Sequence, residues 1–250
     1  MNTNSRWGLV VLGLWVASSA GAAGFSVTPL RLDFTGNGSA SVEIENAGNT
    51  PIDMEVQVMS WAQVDGKDVY ADTSDLTVFP MKFTLPPKSS GKDQGRVIRV
   101  FFPAGKKGSL PKTEKAYRLY ITELPSVQQD PGENIQIRER FGIPVFFREK
   151  KASSQLSASV ESGGDGLIKV RLTNQGTMHA HLKSITSDPA GIAGGGLDEW
   201  YVLPSASHLY SLPISGAVCS QANAKLRISL DQGKPVDVPV SIPSGTCKAG

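Results

Sequence analysis

The chain has 250 residues, of which 40% are hydrophobic and 19% are charged, as expected for a globular protein with a buried core. Its formal net charge is only +2. So small a charge gives no reason to expect a nucleic-acid partner, because such a partner requires a clustered basic face.

Residues 1–23 have the organisation of a cleavable secretory signal. A short polar start with one basic residue precedes a nearly unbroken apolar run at residues 7–16, and small residues follow up to Gly24. The alternative is a membrane anchor, but a spanning helix needs about 20 apolar residues and this run is shorter. We therefore predict an exported chain that begins near Gly24 and has no membrane span after the signal is removed.

Two cysteines, Cys219 and Cys247, occur late in the chain. In an oxidising compartment they are expected to pair. A redox-active pair would normally have Cys-x-x-Cys spacing, which the sequence lacks, so a structural disulfide is predicted.

From residue 25 onward the sequence predicts short strands separated by turns. Apolar and polar residues alternate with a period of two, which is typical of antiparallel sheets with one buried face. The segments are 25–34, 40–46, 52–58, 96–102, 115–124 and 135–147. No convincing amphipathic helix interrupts them, so the prediction is an all-β chain built from β-sandwiches.

Residues 148–154 are charged and small, and they predict a domain boundary. Further alternating segments follow at 155–160, 167–172, 224–230 and 236–242. The last two are predicted to form a hairpin whose turn begins at Asp231. The predicted domains are therefore residues 24–149 and 150–250.

Residues 42–49 resemble residues 170–177, since both are alternating strands that end in Asn-x-Gly. The similarity predicts two domains of one type. The alternative is that any strand that enters a turn has this appearance.

No catalytic or metal-binding motif is recognisable, so neither an enzyme nor a cofactor is predicted. His179 and His181 are two residues apart and would share one face of a strand, but no cysteine or carboxylate pattern accompanies them. The prediction for these two histidines is a solvated strand face. A secreted hydrolase would need catalytic residues on the loops, and none is evident.

Four segments in order resemble the periplasmic chaperones of the chaperone–usher pilus pathway. Residues 28–34 resemble the first strand of that family, and residues 83–100 its proline-marked turn and following arginine strand. Residues 117–125 and 135–148 resemble the last two strands of its first domain. The pattern is closer to the divergent branch called archaic than to the classical one.

The resemblance implies two immunoglobulin-like domains in an L or boomerang arrangement, and an ATP-independent chaperone in the periplasm. Such chaperones cap incomplete pilus subunits by lending them an edge strand, and they deliver the subunits to an outer-membrane usher. Strand addition gives affinity through main-chain hydrogen bonds and specificity through alternating side chains.

The resemblance places the donor strand within residues 135–147. Ile135, Ile137, Phe141 and Ile143 share one parity, and Glu139 interrupts the series. The alternative is that these apolar side chains face the core of their own domain.

The family also implies that two basic residues in the cleft hold the C-terminal carboxylate of the subunit. Arg31 matches the first of these, but Pro144 stands where the classical family has a lysine. Arg140, on the same strand, and Arg118, on the neighbouring one, are the candidates for the second. The alternative for each arginine is an ordinary wet face of a sandwich.

The competing hypothesis is a secreted two-domain module that is itself structural or adhesive. A fibre subunit would normally carry an N-terminal donor extension, whereas here the alternating strand comes late in the first domain.

Overall fold

The computed structural model of the chain describes residues 24–36, 38–88, 95–101, 110–125, 138–195 and 201–247. Their regular structure is almost entirely β-strand. The strands of the first half, in chain order, are β1 (Phe25–Thr28), β2 (Leu32–Phe34), β3 (Ser39–Asn46), β4 (Ile52–Val64), β5 (Lys67–Asp72), β6 (Thr77–Phe79), β7 (Lys82–Leu85), β8 (Gly95–Phe101), β9 (Lys115–Glu123) and β10 (Arg140–Phe147).

These strands form two sheets. One has the order β1-β3-β8-β6, and the other has the order β2-β10-β9-β4-β5, with β7 also paired to β4. The described pairings are antiparallel except that β2 runs parallel to β10. Side chains from both sheets meet in one apolar core, which includes Ile44, Met54, Leu119 and Val145.

Residues 25–34, predicted as one alternating segment, are two strands in different sheets. β1 pairs with β3, whereas β2 pairs with β10. Pro29 lies between them and has no backbone N–H to donate to a ladder, so pairing stops there. Arg31 consequently stands at the point where the chain joins the second sheet.

The second half repeats this organisation. Its strands are β11 (Leu156–Gly164), β12 (Leu167–Asn174), β13 (Ala180–Asp188), β14 (Ala193–Gly195), β15 (Tyr201–Val202), β16 (Ser207–Pro213), β17 (Asn223–Leu230) and β18 (Val236–Ser241). One sheet has the order β11-β12-β16, and the other has the order β14-β13-β17-β18, with β15 paired to β13. Ile168, Leu172, Leu226 and Ile228 are among the residues of a second, separate core.

The late hairpin is confirmed, because β17 and β18 pair antiparallel around the turn that starts at Asp231. Cys219, in a 3-10 helix at Gly216–Ser220, is bonded to Cys247, which follows β18, so the predicted disulfide is present. Strands of the first two sheets end at Phe147 and those of the other two begin at Leu156. We propose that the domain boundary lies in this interval.

Among the described residues, no helix has the length and apolar character needed to cross a membrane.

Candidate functional site

One face of the β2-β10-β9-β4-β5 sheet is turned away from the core of its own sandwich. Side chains alternate along a strand, so the residues of β9 and β10 divide between two faces. Those at odd positions, including Leu119 and Val145, lie in the core. Those at even positions, including Ala116 and Phe146, pack with Leu203 and Ala206 of the second half.

Aromatic rings fill the centre of this contact. The Trp61 ring lies 6.0 Å from the Phe146 ring and 5.5 Å from the Tyr201 ring, centroid to centroid. Phe146 also stacks on His179 at 3.7 Å. Aromatic pairs at such distances add to the free energy that area burial supplies. The two sandwiches therefore meet through a packed apolar cluster.

Polar groups connect the two halves around the cluster. The Gln63 side chain donates to the carbonyl oxygen of Tyr201 at 2.9 Å and accepts from the Leu203 N–H at 2.9 Å. The turn after β4 reaches the same half, since a Cβ on Gly66 would lie 3.6 Å from the carbonyl oxygen of Ser207. Gly66 has a φ of 74°, a conformation that glycine adopts without strain.

A buried carboxylate lies at one end of the interface. Glu114 Oε1 is 2.8 Å from His179 Nδ1 and accepts the His179 backbone N–H at 3.0 Å. Arg148 approaches the same carboxylate at 3.6 Å and donates to Asp33 at 2.6 Å. Buried charges of this kind are tolerated when they are paired and hydrogen-bonded.

Arg31 lies where the two halves meet, and we call the region around Arg31, Asp231 and Tyr201 the cleft. Its Nε donates to Asp33 at 2.8 Å and its Nη1 donates to Asp231 at 3.0 Å. Asp231 starts the β17–β18 turn, so this second ion pair joins the two halves. The hydrogen bond from Arg31 is the main cause that lowers the pKa of Asp231 below its ordinary value.

Arg118 lies in the same row across the sheet as Arg31. Pro144 is opposite Arg118 on β9, and because Val145 is opposite Leu32 on β2, Arg31 falls beside Pro144. Neighbouring strands are about 4.8 Å apart, so the two arginine backbones are about 10 Å apart with Pro144 between them. The Arg118 guanidinium carbon lies 4.0 Å above the centroid of the Trp61 ring.

The guanidinium groups of Arg31 and Arg118 both influence the pKa of the Tyr201 hydroxyl. Burial raises the pKa of Tyr201, while the positive charges of Arg31 and Arg118 both act to lower it. Both cations therefore lie within electrostatic range of the Tyr201 hydroxyl. The nearby Trp61 indole nitrogen is buried and has no hydrogen-bond partner among the described residues.

Arg140 does not belong to this group. Its guanidinium carbon lies 3.8 Å from the centroid of the Tyr120 ring, and Tyr120 is two residues along β9 from Arg118. Arg140 also precedes Pro144 by four positions, a separation of about 13 Å along a strand. The geometry thus favours Arg118 over Arg140 as the companion of Arg31.

The first part of β10 has one paired edge and one open edge in the described structure. β9 pairs with all of β10, whereas β2 covers only Val145 to Phe147. The Glu139 carbonyl oxygen accepts from Glu123 on the β9 side, and the Arg148 N–H donates to Phe34 on the β2 side. Backbone groups alternate in direction along a strand, so those of Arg140 and Gly142 point to the open edge.

The predicted donor side chains have different outcomes. Ile143 is almost completely buried in the core of its own sandwich, so its prediction as a side chain offered to a partner is corrected. Phe141 is half-buried against the same core and contacts the Phe25 ring at 5.1 Å. Ile135 and Ile137 lie outside the described residues, and their role stays a prediction.

A family model for pili and flagellar-assembly chaperones, covering the PapD N-terminal domain, matches residues 24–152. The chain belongs to this chaperone family. A comparison with curated proteins found no match. The members of the chaperone family are non-enzymatic and function in the periplasm.

Solved structures of pilus chaperones share the fold over most of the chain. A chain of the CsuC–CsuE chaperone–tip adhesion subunit complex from archaic Csu pili of Acinetobacter baumannii is 21% identical, covers 87% of this chain and 98% of its own length, and has a TM-score of 0.63. A chain of the Salmonella enterica SafA pilin–SafB chaperone complex is 19% identical, with coverages of 90% and 99% and a TM-score of 0.59. The E. coli chaperone DraB is 14% identical, with coverages of 88% and 96% and a TM-score of 0.55. The predicted fold of two immunoglobulin-like domains is thereby confirmed.

The sequence did not reveal the residues that join the halves of this pilus chaperone. His179, predicted on a solvated strand face, is buried at the interface, and His181 stacks on Tyr201 at 4.2 Å. Glu114, the partner of His179, is 65 residues away and has no local signal. The continuous apolar run at residues 145–147 was the available signal, because it breaks the alternation expected of a strand with one wet face.

Proposed function

We propose that the chain is a periplasmic chaperone that captures pilus subunits by donor-strand complementation and delivers them to an outer-membrane usher. Membership of the chaperone family supports this proposal. The predicted secretory signal in residues 1–23 supports the periplasmic location.

The donor element is the open edge of β10. The backbone groups of Arg140 and Gly142 point to this edge. The Gly142 carbonyl oxygen accepts a long hydrogen bond from Arg118 Nη1, at 3.4 Å, which a partner strand would replace when it pairs with this edge. An incomplete subunit exposes apolar surface and unpaired edge groups, which is an aggregation hazard. Pairing with β10 and the residues that precede it covers the apolar surface and the unpaired edge groups, and it requires no ATP.

The observation that carries the proposal is the position of Arg31 and Arg118. They flank Pro144, where the open edge of β10 gives way to the part covered by β2. A subunit strand along the open edge would therefore end between two guanidinium groups. Guanidinium binds carboxylate with paired, charge-assisted hydrogen bonds, so these residues suit a chain terminus.

In this proposal Arg118 is the second basic residue that binds the C-terminal carboxylate of the subunit, a role that a lysine has in the classical family. Pro144 carries no charge, but the adjacent Arg118 points into the same cleft and lies over Trp61.

The proposal is tested by co-expression with the secreted β-rich protein encoded beside this chain, followed by purification from the periplasm. We expect a soluble complex, and degradation or aggregation of the partner when this chain is absent. A partner that is stable alone and forms no complex would favour the competing reading of a structural module.

Arg31→Ala tests the anchor within the same experiment. The loss of a charged hydrogen-bond donor is expected to weaken capture about tenfold or more, with the fold intact by circular dichroism. Arg140→Ala is the matched control, since that side chain stacks on Tyr120 outside the row of Arg31. Unchanged capture by Arg31→Ala would remove Arg31 from the site.

A further inference from the structure

Arg31 already holds a carboxylate in the free chain. Asp231 Oδ2 accepts from Arg31 Nη1 at 3.0 Å, which is the interaction that a subunit carboxylate would make at the same guanidinium. About a quarter of the Arg31 side chain is exposed, and slightly more of the Asp231 side chain, so solvent and a ligand can reach the pair. A subunit carboxylate must share or replace this contact.

We propose that Asp231 is an internal competitor for Arg31, and that capture exchanges the Arg31–Asp231 ion pair for an ion pair between Arg31 and the carboxylate of the bound polypeptide. The inference rests on the proposed function and deepens it. Because only a ligand with a carboxylate can replace Asp231 at Arg31, Asp231 increases the preference of the cleft for a strand that ends in a free C-terminus over an apolar strand without one.

The contacts of Asp231 make such an exchange inexpensive. Its Oδ1 lies 3.4 Å from Lys183 Nζ, and its Oδ2 lies 3.5 Å from His181 Nδ1, both on β13 of the same half. Release from Arg31 therefore leaves the carboxylate beside a cation. An ion that loses its only partner in a partly buried site is costly, and this arrangement avoids that cost.

Arg31 has a corresponding second partner. Its Nε donates to Asp33 at 2.8 Å, and Asp33 is also held by Arg148 at 2.6 Å. Asp33 thus fixes the guanidinium in the cleft in either state. The backbone of Asp231 is fixed as well, because its N–H donates to the His181 carbonyl oxygen at 2.8 Å. A rotation of the Asp231 side chain is then sufficient for the exchange.

The test uses the mature chain and a synthetic peptide that reproduces the C-terminal strand of the co-captured protein, as the free acid and as the C-terminal amide. Binding is measured by calorimetry or fluorescence polarisation. Asp231→Asn removes the competing charge and keeps the shape. Because exposed ion pairs contribute up to about 1 kcal/mol, the free acid is expected to bind about two- to fivefold more tightly, and the amide is expected to bind as before.

Lys183→Ala is expected to have the opposite effect. Without its second cation, Asp231 competes more strongly for Arg31, and the free acid should bind about twofold more weakly. In the Asp231→Asn background this effect should disappear, which a double-mutant cycle detects. Asp237→Asn is the matched control, since Asp237 pairs with the exposed Arg227 on the same hairpin.

Two results would overturn the inference in different ways. If Asp231→Asn leaves the affinity for the free acid unchanged or lowers it, Asp231 is not a competitor, while the anchor role of Arg31 stands. If the wild-type chain binds acid and amide equally, the carboxylate anchor itself is wrong, and capture through the edge of β10 is the part of the proposed function that remains. Lys183→Ala, an exposed substitution, provides an independent reading if Asp231→Asn is poorly folded.

Discussion

Two buried asparagines shape equivalent turns in the two sandwiches. The Asn46 side chain accepts from the Gly48 N–H at 2.8 Å and donates to the Thr50 carbonyl oxygen at 2.8 Å. The Asn174 side chain makes the same contacts two and four residues onward, at 3.0 and 2.8 Å. An amide supplies both a donor and an acceptor, so neither turn leaves these backbone groups unsatisfied.

His181, which lies beside the Asp231 carboxylate, makes the free energy of unfolding depend on pH. Burial is the largest cause that lowers the pKa of His181, although Asp231 acts in the opposite direction. Below the ordinary histidine value of 6.5, the unfolded chain therefore binds more protons than the folded one. This contribution to the free energy of unfolding is complete above that pH and is lost as the pH falls through the folded pKa.

We expect the free energy of unfolding of His181→Gln to depend less on pH below about 6.5 than that of the wild type. The free energy of unfolding, measured with urea between about pH 7 and about pH 5, should fall less for the variant than for the wild type. His208→Gln on β16 is the matched control. Parallel pH curves for wild type and His181→Gln would contradict the lowered pKa.

The role of a single residue could be predicted from the sequence where its partners are close to it in the chain. The Asn-x-Gly repeat was visible because each turn needs its asparagine within four residues of its partners. The ion pair between Arg31 and Asp231 was not, because 200 residues separate the two side chains. Pairing across such a separation depends on how the halves pack, which composition and periodicity do not encode.

At the scale of elements, β10 combines two environments in one strand. Its end is enclosed between β9 and β2, and Val145, Phe146 and Phe147 are buried there on both faces. Its beginning is paired on one side only in the described structure. The enclosed end fixes the strand in the domain, and the beginning is the part that the proposed function assigns to pairing with a subunit.

Capture should depend on the apolar side chains that precede β10. The substitutions Ile135→Asp and Ile137→Asp together are expected to abolish capture, because charges would enter the apolar groove of the subunit. Co-purification of the partner and its resistance to aggregation are the measurements. Gln136→Asp, of opposite parity, is the control for added charge. A double variant that still protects the partner would end the donor-strand assignment for these residues.

Period-two alternation located most strands correctly, but it did not show which side chains reach a partner. Ile143 has the parity of a donor residue and also the parity of the core, and burial decides for the core. The break at Pro29 was likewise hidden, because alternation continues on both sides of the proline while the pairing partner changes.

At the scale of the molecule, the two sandwiches are joined by contacts of several kinds. An apolar cluster around Trp61, the amide of Gln63, the Glu114–His179 pair and the Arg31–Asp231 ion pair all cross the interface. Trp61 and Gln63 are on β4, Glu114 directly precedes β9, and Arg31 directly precedes β2. The cleft that holds Arg31 and Arg118 therefore exists only when both halves are docked.

Gln63→Leu tests how far this docking contributes to stability. The substitution leaves the Tyr201 carbonyl oxygen and the Leu203 N–H without their partner, and an unsatisfied buried group costs about 1–3 kcal/mol. The free energy of unfolding should fall by about 2 kcal/mol, and the Leu203 amide should exchange faster with solvent. Gln57→Leu, exposed on the same strand, is the matched control. Unchanged protection of the Leu203 amide would contradict the role of Gln63.

The disulfide closes a covalent ring around the last hairpin. Cys219 precedes β17 and Cys247 follows β18, so both strands and Asp231 at the turn lie inside the ring. A protease that cuts once within this ring produces a nicked chain whose pieces stay attached. Such a chain migrates as one species on a non-reducing gel and separates into two fragments only after reduction. The hairpin that carries Asp231 thus remains tethered to the second sandwich even when its turn is cleaved.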